Sequence, residues 1–457
     1  MKRTLVLSVP GLEAGFLNRL PRLSSLARHG AMRPLKPLFP ALACPAQSTF
    51  LTGALPREHG GVADGWYDRE SAEIRMWRQS ALLVRGERVW DLARRLDENF
   101  TCAMLFWRHN MYGTADVAVT PTPVHSAEGS SFSDLYTRPA GLGGELRARL
   151  GRFPAGQFWG PFAGIESSRW IADCARYVFD AIRPTLTLAR LPHLDYVLQR
   201  LGPEHPALDD ELLRFDQVLD QLCRHVLSQG ARVLLISEYK IESVSRAIPI
   251  NRILRREGLL NVRSERSWEM LDPGGSQAFA IADHQIAHLY LQRPEQAPRI
   301  RELLERVPGV EAVLDEEGKR GMGVDHVRSG DLVAVADRRS WFSYYYWIDD
   351  AKAPDFARTS DGRKPGYDPA ELFIDPGLRM ARARIAFKRL KRRSGLSAAL
   401  DIVPLDAGLV RGSHGRACEG AIVVSSQPRL LPNGPIEPLQ IKDLMLAHVF
   451  VTETVMS

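Results

Sequence analysis

Five polar side chains could bind a divalent cation, because each stands where an apolar run ends or in a glycine-flanked loop. They are Asp195, Gln199, Glu238, Tyr239 and His414. The first two follow the run TLTLARL, the next two follow RVLLI, and the last stands in the loop GSHG. Carboxylates and imidazoles brought together from separate strand ends are typical ligands of divalent metals. The alternative is that each caps a helix or pairs with a nearby arginine, and spacing alone leaves both open.

A second group of chemically useful residues is the segment ADHQIAH, which contains Asp283, His284 and His288. On one extended strand the two histidines would point to the same face, so that both imidazoles could meet one ligand. Backbone carbonyls could equally satisfy them. The segment is therefore a candidate substrate-binding element.

A third group is the aromatic segment 343–373, which carries SYYYW and then the rigid turn KPGYDP with Lys364 and Tyr367. Aromatic rings beside acidic and basic side chains suit a pocket for an anionic or ring-bearing substrate. The alternative is a packed aromatic loop without a ligand.

The stretch FPALACPAQSTFLTGALPREHG, residues 39–60, has the pattern of a loop that presents a reactive group to a pocket. We predict a helix start at residues 47–49, with serine and threonine hydroxyls capping it. Ala43 has nothing to present, and Cys44, about 3.5 Å further along the chain, aims its side chain elsewhere. Gln47 is the remaining candidate catalytic residue of the stretch.

These residues need strands to position them, and five apolar runs have the pattern of central parallel strands. They are residues 4–9, 101–107, 185–191, 232–238 and 331–337. The segment 211–230 has apolar residues at helical spacing and ends in a glycine directly before the fourth run. We therefore predict an α/β fold with a doubly wound, mostly parallel sheet and helices on both faces, which collects ligands at the carboxyl ends of its strands.

The 457 residues show no repeat and no low-complexity linker, so we expect a single domain over 1–457. Residues 285–320 read as strand, helix and strand, which predicts a small βαβ insertion. The loops 110–170 and 340–376 are rich in glycine, proline and aromatic residues, and we interpret them as lids or binding loops.

Composition narrows the function classes: 45% apolar and 25% charged residues are typical of globular proteins and not of membrane spans. Pro10 and Gly11 end the first apolar run too early for a signal peptide, so we expect a cytoplasmic protein. No recognised nucleic-acid motif accompanies the basic run 379–395, and we interpret it as a solvated helix face without nucleic-acid binding. The oligomeric state is left open.

The segments TLVLSVPGL, HLDYVLQR, LLISEY and GSHG occur in an order that resembles the type I phosphodiesterase/nucleotide pyrophosphatase branch of the alkaline phosphatase superfamily. QSTFLTG, PREHG, GWY, ADHQIAH and KPGYDP are similar to a bacterial alkaline-phosphatase-like subgroup. The resemblance implies an alkaline-phosphatase-like fold and hydrolysis of a small anionic phosphoester. It also implies two divalent ions, Zn²⁺ or Mn²⁺, that activate a threonine or serine nucleophile and stabilise the leaving oxygen.

By resemblance, Asp195 and His414 fall on metal ligands of the family. Gln199 stands where the family has a histidine, and Glu238 and Tyr239 stand where it has aspartate and histidine. Glutamate still binds a hard cation, but amide and phenol groups are weaker ligands. We therefore expect one metal ion or none to be retained.

Other family positions are substituted more severely. Pro10 replaces a first-strand aspartate, and Ala43 falls on the nucleophile itself. Asp64 replaces an asparagine that touches the phosphate, and Gly362 replaces a histidine. The substrate side would comprise Asp64, Asp283, His284, His288, Lys364 and Tyr367.

Two main functions remain. We expect a metal-dependent phosphoric-ester hydrolase with weakened chemistry, in which a metal-activated water attacks in place of the lost hydroxyl. The alternative is a catalytically inactive pseudoenzyme that binds an anionic ligand or a protein partner. A nucleic-acid or membrane-surface role for the run 379–395 is a third interpretation, which predicts strongly salt-dependent binding.

Overall fold

The structure is a computed structural model that describes residues 1–125, 131–360, 364–380, 383, 386–388, 391 and 400–451. In chain order the strands are β1 (Thr4–Ser8), β2 (Ala31–Pro34), β3 (Gly65–Asp68), β4 (Glu73–Met76), β5 (Cys102–Leu105), β6 (Val117–His125), β7 (Ser131–Arg138), β8 (Leu186–Arg190), β9 (Arg232–Ile236), β10 (Glu242–Ser243), β11 (Arg246–Ile248), β12 (Val262–Glu265), β13 (Trp268–Leu271), β14 (Ala278–Asp283), β15 (Ile286–Leu291), β16 (Val310–Leu314), β17 (Leu332–Ala336), β18 (Ser340–Phe342), β19 (Gly412–Ser413) and β20 (Ile422–Ser425).

The α-helices are α1 (Pro21–His29), α2 (Ala43–Thr52), α3 (Pro56–His59), α4 (Val89–Leu96), α5 (Leu142–Leu150), α6 (Ala155–Phe158), α7 (Ile165–Ala181), α8 (His193–Leu201), α9 (Leu208–Leu227), α10 (Ile250–Arg256), α11 (Ala297–Glu305), α12 (Glu316–Met322) and α13 (Ile441–Phe450). Short 3₁₀ turns cover Ala14–Arg19, Ala81–Leu83, Pro294–Gln296, Asp350–Lys352, Asp355–Arg358, Pro369–Leu372, Ala407–Leu409, Pro428–Leu430 and Pro438–Gln440.

The main sheet has the strand order β2-β20-β9-β1-β8-β5-β6-β7. Its central strands β9, β1, β8, β5 and β6 run parallel, and the outer pairings are antiparallel. Side chains alternate along β1: Leu5 and Leu7 pack with α7, α8 and α9, while Val6 packs with α2, α4 and α13 on the other face. The predicted mostly parallel sheet with helices on both faces is confirmed.

Four of the five predicted strands lie in this sheet, but the prediction for 331–337 is wrong. That run forms β17, which belongs to a second sheet with the order β14-β15-β17-β16. All neighbours in that sheet are antiparallel. Because β17 has a strand on each side and is largely buried, its apolar run resembles that of a central parallel strand.

The second sheet also contains the predicted insertion at 285–320. Strand β15, helix α11 and strand β16 follow one another there as the sequence predicts. However, β17 lies between the two strands, and β14 precedes them, so the unit extends over residues 278–336. The βαβ interpretation therefore describes only part of a larger four-stranded sheet.

The two predicted lid regions contain regular structure. Region 110–170 includes the β6–β7 hairpin and helices α5 and α6, and region 340–376 includes β18 and short 3₁₀ turns. Residues 126–130 and 361–363, including Gly362, lie outside the described residues, as does most of the basic run 379–395. Among the helices of the described residues, none combines the length and the apolar character that a membrane crossing needs.

Candidate functional site

Arg190 is the last residue of β8, and its guanidinium lies between two carboxylates, one on helix α8 after β8 and one just after β9, the strands on either side of β1. Its Nη2 is 3.2 Å from Oδ2 of Asp195, and its Nε is 3.0 Å from Oε1 of Glu238. The Arg190 side chain is only 2% exposed. Burial opposes its charge, but Glu238, Tyr239, Tyr196 and Asp195 together outweigh burial and hold the pKa of Arg190 well above its usual value. We call Arg190, Asp195 and Glu238 the arginine cluster.

Uncharged donors reach both oxygens of Asp195 and Oε1 of Glu238, whereas Oε2 of Glu238 is buried without a partner among the described residues. On the first turns of α8 the spacing of four residues places Gln199 on the same face as Asp195, and its amide donates to Oδ1 at 2.9 Å. The Tyr239 hydroxyl donates to Oδ2 of Asp195 at 3.1 Å. Gln47 donates to Oε1 of Glu238 at 2.7 Å, and the Ser8 hydroxyl donates to the same oxygen. Both carboxylates are therefore held by N–H and O–H groups.

His414 stands against the arginine cluster with one ring nitrogen free. Its Nδ1–H donates to the backbone carbonyl of Ala41 at 2.7 Å, and its ring stacks on Tyr239 with centroids 3.8 Å apart. Within the described residues Nε2 has no hydrogen-bond partner, and it lies 3.7 Å from Oδ1 of Asp195. Burial lowers the pKa of His414 despite the opposing charge of Asp195, so the imidazole is neutral at neutral pH.

The metal ions that the resemblance implies do not fit this arrangement. Arg190 places a positive charge against both candidate carboxylates, and the side chains of Gln199 and Tyr239 offer hydrogens to Asp195 where a metal would need lone pairs. Nε2 of His414 and Oε2 of Glu238 have no hydrogen-bond partner among the described residues, but Arg190 lies between the two carboxylates, so these atoms and Asp195 do not form a tetrahedral or octahedral site. In the part of the chain that the structure describes, no group of three or more His, Cys, Asp or Glu side chains could hold a metal ion.

Ala43 is the first residue of α2 and lines the cavity beside the arginine cluster. The predicted helix start at residues 47–49 is wrong, since the helix already begins four residues earlier. Pro45 is accommodated in the first turn, where a missing N–H breaks no helical hydrogen bond. Thr49 consequently lies inside the helix, where its hydroxyl pairs with the ring of His59 at 3.0 Å.

Asp64, not a hydroxyl of α2, caps the start of this helix. Its Oδ1 accepts the backbone N–H of Cys44 at 2.9 Å. A helix N-terminus is a favourable place for an anion, and here a carboxylate of the chain itself occupies it. Burial, reinforced by Asp64, raises the pKa of the Cys44 thiol well above its usual value. The thiol stays protonated and is no substitute for the missing nucleophile.

Behind Asp64 lies a second acid, Asp283, which accepts the backbone N–H of Asp64 at 2.8 Å. Burial and the neighbouring Asp64 carboxylate raise the pKa of Asp283 well above its usual value. Arg108 supplies the opposite charge: burial opposes its ionisation, but Asp64, Cys44 and Tyr196 together outweigh burial and raise the pKa of Arg108. The Arg108 guanidinium lies 5.1 Å from the ring centre of Trp77.

The two candidate histidines of the segment ADHQIAH do not meet one ligand. His284 stands in the turn between β14 and β15 with φ +60°, and its ring lies 3.7 Å from that of Tyr367 and 3.6 Å from that of His414. His288 lies within β15, accepts the backbone N–H of Gly330 at 3.1 Å, and does not line the cavity. The turn breaks the strand that would have given both histidines one face. Burial lowers both pKa values, that of His288 to about 4.

A cavity of about 580 Å³ joins these elements. Of the predicted site residues, its walls include Ala43, Asp64, Asp195, Tyr239, His284, Lys364 and Tyr367. Cys44, Gln47, Gln199, Glu238, Asp283 and His414 lie behind the wall and contact or support its residues. The Tyr367 hydroxyl donates to Oε1 of Gln199 at 2.7 Å, which links the turn KPGYDP to α8.

Lys364 is buried in an ion-pair group that also lines the cavity. Its Nζ lies 2.6 Å from Oδ2 of Asp368 and 3.1 Å from Oε1 of Glu371. The indole N–H of Trp159 donates to the second oxygen of Glu371. Burial, only partly offset by Lys364, raises the pKa of Glu371 to about 7. We call Lys364, Asp368, Glu371 and Trp159 the lysine cluster.

Sequence reasoning missed several residues of the cavity and its supports, namely Ser8, Trp77, Arg108, Trp159, Arg190 and Glu371. One signal could have found Arg190, since a charged residue ending a buried apolar run needs a partner close by. The alternative interpretation in the sequence analysis, that Asp195 and Glu238 pair with a nearby arginine, agrees with the observed position of Arg190. No comparable signal marks Trp77 or Trp159, which reach the cavity from a hairpin and a loop distant in sequence.

Comparison with known proteins agrees with the fold. The family model described as "Type I phosphodiesterase / nucleotide pyrophosphatase" matches residues 4–368. An uncharacterized pyrophosphatase/phosphodiesterase of Schizosaccharomyces pombe is 23% identical over 297 residues, which are 62% of this chain and about half (53%) of that protein.

Two solved structures are similar over almost their whole length. Phosphonoacetate hydrolase from Sinorhizobium meliloti 1021, in complex with phosphonoformate, matches with TM-score 0.61 and 17% identity, over 98% of this chain and 96% of that one. The second is murine ectonucleotide pyrophosphatase/phosphodiesterase 5, an inactive threonine-to-alanine variant in complex with AMP. It matches with TM-score 0.58 and 13% identity, over 99% of this chain and 96% of that one. At sequence identities this low, the two similar structures show the fold of this chain and nothing more about it. Through the match over residues 4–368, the chain belongs to the type I phosphodiesterase/nucleotide pyrophosphatase family.

Proposed function

We propose that this chain binds a small phosphate- or phosphonate-bearing ligand in the cavity and does not hydrolyse it through metal ions. The observation that carries the proposal is the position of Arg190, whose guanidinium lies 3.2 Å from Asp195 and 3.0 Å from Glu238. A fixed cation there supplies the charge that a metal would otherwise bring. The prediction of bound Zn²⁺ or Mn²⁺ is therefore not part of the proposal.

The nucleophile side of the cavity supports the same conclusion. Ala43 offers no hydroxyl, and burial keeps the Cys44 thiol protonated by raising its pKa. Nucleophile and activating groups of such a site act as a unit, so the loss of one typically costs orders of magnitude in rate. With no hydroxyl at position 43 and with Arg190 between the candidate metal ligands, binding is the activity that the remaining residues support.

Several groups could hold the anionic part of a ligand. Arg78, Arg108 and Arg190 line the cavity, and guanidinium groups bind phosphate oxygens in pairs. Arg190 is engaged with carboxylates, so Arg78 and Arg108 are the proposed direct contacts. Asp64 opposes them, which predicts moderate affinity.

The ligands of the two similar structures suggest which compounds to test. Phosphonoformate is bound in the phosphonoacetate hydrolase, and AMP is bound in a phosphodiesterase variant described as inactive, in which a threonine is replaced by alanine. That variant retains its ligand without activity, which is the behaviour proposed here for a chain with alanine at position 43.

The test measures binding and hydrolysis separately. We expect isothermal titration calorimetry to detect binding of AMP or phosphonoformate, unchanged by a chelator and weakened in Arg108→Gln. The control Arg147→Gln changes an exposed arginine paired with Asp134 and should bind as the native chain does.

In the same preparations, we expect no release of nitrophenol from a chromogenic phosphodiester with added Zn²⁺ or Mn²⁺, in the native chain or in Ala43→Thr. Turnover by the native chain would support the metal-activated water mechanism and overturn the proposal. Turnover by Ala43→Thr alone would show that a metal centre forms despite Arg190. Absence of binding to every phosphate compound would also overturn the proposal.

A further inference from the structure

Three short loops beside the cavity each expose one large apolar or aromatic side chain. They are residues 80–83, 110–113 and 326–329, whose exposed side chains are Leu82, Tyr112 and Val327 at 80%, 62% and 76%. The first two loops begin next to the cavity wall, because Gln79 and Arg108 line the cavity. An exposed apolar side chain on its own needs no partner, but several on one surface indicate an interaction site.

Hydrogen bonds join the three loops into one surface. The N–H of Ala81 donates to the carbonyl of Met111 at 2.8 Å, which joins the first loop to the second. Nη1 of Arg328 donates to the carbonyl of Leu83 at 2.5 Å, which joins the third loop to the first. The three exposed side chains therefore belong to one connected surface.

Four arginines lie in or beside these loops. They are Arg85, Arg88, Arg138 and Arg328. The last three donate to backbone carbonyls, for example Arg88 to Ala81 at 2.8 Å and Arg138 to Gly113 at 2.6 Å. Among the described residues, none of the four guanidinium groups forms an ion pair with a carboxylate. We call these four arginines and the three loops the loop surface.

The loop surface has an excess of positive charge. The carboxylates whose charges act on Arg88 and Arg328 already have partners of their own, which are Arg94 for Asp91 at 3.6 Å and Arg75 for Asp68 at 2.8 Å. Burial lowers the pKa of Arg328, and the positive charge of Arg85 lowers it further. An anionic partner would offset this repulsion between the arginines.

We infer that the loop surface docks this protein on a membrane that contains anionic phospholipids. Guanidinium groups bind phosphate oxygens, and the negative surface potential of such a membrane attracts clustered arginines. Leu82, Tyr112 and Val327 enter the interface between water and lipid, as apolar and aromatic side chains do at membrane surfaces. The attachment is peripheral, and it does not depend on which ligand binds in the cavity.

The arrangement of the three apolar side chains favours a lipid surface over a folded protein. Each of them is more than half exposed and protrudes from its own loop. A protein interface needs a large complementary surface, whereas a fluid lipid interface adapts to single protruding side chains. An acidic protein is the alternative occupant, and polyglutamate serves as its probe.

The experiment measures binding of the full chain to vesicles by flotation. We expect binding to vesicles rich in phosphatidylglycerol to be at least about tenfold tighter than to vesicles of phosphatidylcholine alone, and to weaken as salt is added. The double variant Arg85→Gln/Arg138→Gln should bind roughly 25-fold more weakly, because each arginine near an anionic surface contributes about fivefold. Leu82→Ser/Val327→Ser should bind at least about tenfold more weakly, because two apolar side chains no longer enter the lipid.

Matched controls lie on α9, outside the loop surface. Arg224→Gln changes an exposed arginine, and Leu213→Ser changes a leucine that is 42% exposed. We expect both to bind vesicles as the native chain does. Urea denaturation should show unchanged stability for the two double variants, since all four substituted side chains are exposed.

The outcomes decide between the loop surface and its alternatives. No binding to phosphatidylglycerol vesicles, or binding that both double variants leave unchanged, would overturn the inference. Equal losses in the α9 controls would also overturn it, because the binding would then follow general surface properties. Binding of polyglutamate without binding of vesicles would assign the loop surface to an acidic protein instead. AMP binding in the cavity is measured separately, so each of these results leaves the proposed function unaffected.

Discussion

The arginine cluster and the lysine cluster contain the same charges but differ in how those charges are satisfied. Each has one basic side chain and two carboxylates in a buried position. In the arginine cluster, uncharged donors from Ser8, Gln47, Gln199 and Tyr239 also reach the carboxylates. In the lysine cluster, Glu371 receives one such side-chain donor, the indole of Trp159.

This difference shows what separates a structural ion pair from a site that can still react to a ligand. Donors from four separate elements fix Asp195 and Oε1 of Glu238 around Arg190, whose charge repels a further cation; Oε2 of Glu238 is left without a partner among the described residues. Glu371 has fewer donors, and its pKa of about 7 leaves it between its neutral and charged forms near physiological pH. A ligand can shift that balance, whereas the carboxylates of the arginine cluster are fixed by Arg190 and by more hydrogen-bond donors.

Among the variants that test this comparison of the two clusters, we expect Arg190→Met to cause the largest loss of stability. Removal of the guanidinium leaves Asp195 and Glu238 buried without their cation, which typically costs about 3–5 kcal/mol. We expect urea denaturation to show a loss of that size in the free energy of unfolding. Arg147→Met, which breaks a pair with both side chains about half exposed, should cost no more than about 1 kcal/mol. Equal losses in the two variants would contradict a structural role for Arg190.

The second test uses the pH dependence of stability. Glu371 has a pKa of about 7 in the folded chain and about 4.3 when unfolded. The folded state binds the proton more tightly, so this residue contributes stability at low pH that is lost between about pH 4.3 and pH 7. Relative to Glu371→Gln, the native chain should therefore lose up to about 4 kcal/mol of unfolding free energy across that range. Parallel stability curves for the two proteins would show that Glu371 is not perturbed.

The smallest predicted effect concerns Asp64, which opposes an incoming phosphate but also caps α2. Asp64→Asn keeps an oxygen for the N–H of Cys44 and removes the negative charge. We expect phosphonoformate to bind about tenfold more tightly, equivalent to about 1.4 kcal/mol. Asp64→Ala also removes the charge but loses the cap, so its stability should fall by about 1 kcal/mol. Weaker binding in Asp64→Asn would mean that Asp64 serves mainly to position Arg108.

Much of the fold could be predicted from the sequence, because buried parallel strands leave short apolar runs that periodicity detects. Four strands of the main sheet and helix α9 were found in this way. The run 331–337 was assigned to the wrong sheet, since a strand buried between two neighbours looks alike in parallel and antiparallel sheets. The start of α2 was missed because its cap, Asp64, lies 20 residues further along the chain.

The candidate site was harder to predict for a related reason. The sequence identified Asp195, Glu238 and His414 as polar groups at strand ends, and the structure brings them together. Which cation they surround depends on the rotamer of Arg190 and on side chains from four other elements. His284 and His288 illustrate the same limit, because a turn residue with positive φ between β14 and β15 breaks the strand pattern on which their pairing relied.

The most direct test of the central claim is equilibrium dialysis of the native protein against Zn²⁺ or Mn²⁺, followed by elemental analysis. If Arg190 occupies the position of the cation, the protein should retain no more metal than Arg147→Met or a buffer control. Arg190→Met, where it folds, should retain more, because the carboxylates are then unpaired. One or more tightly held ions per native chain would contradict the account, since Asp195 and Glu238 would then bind metal despite the guanidinium between them.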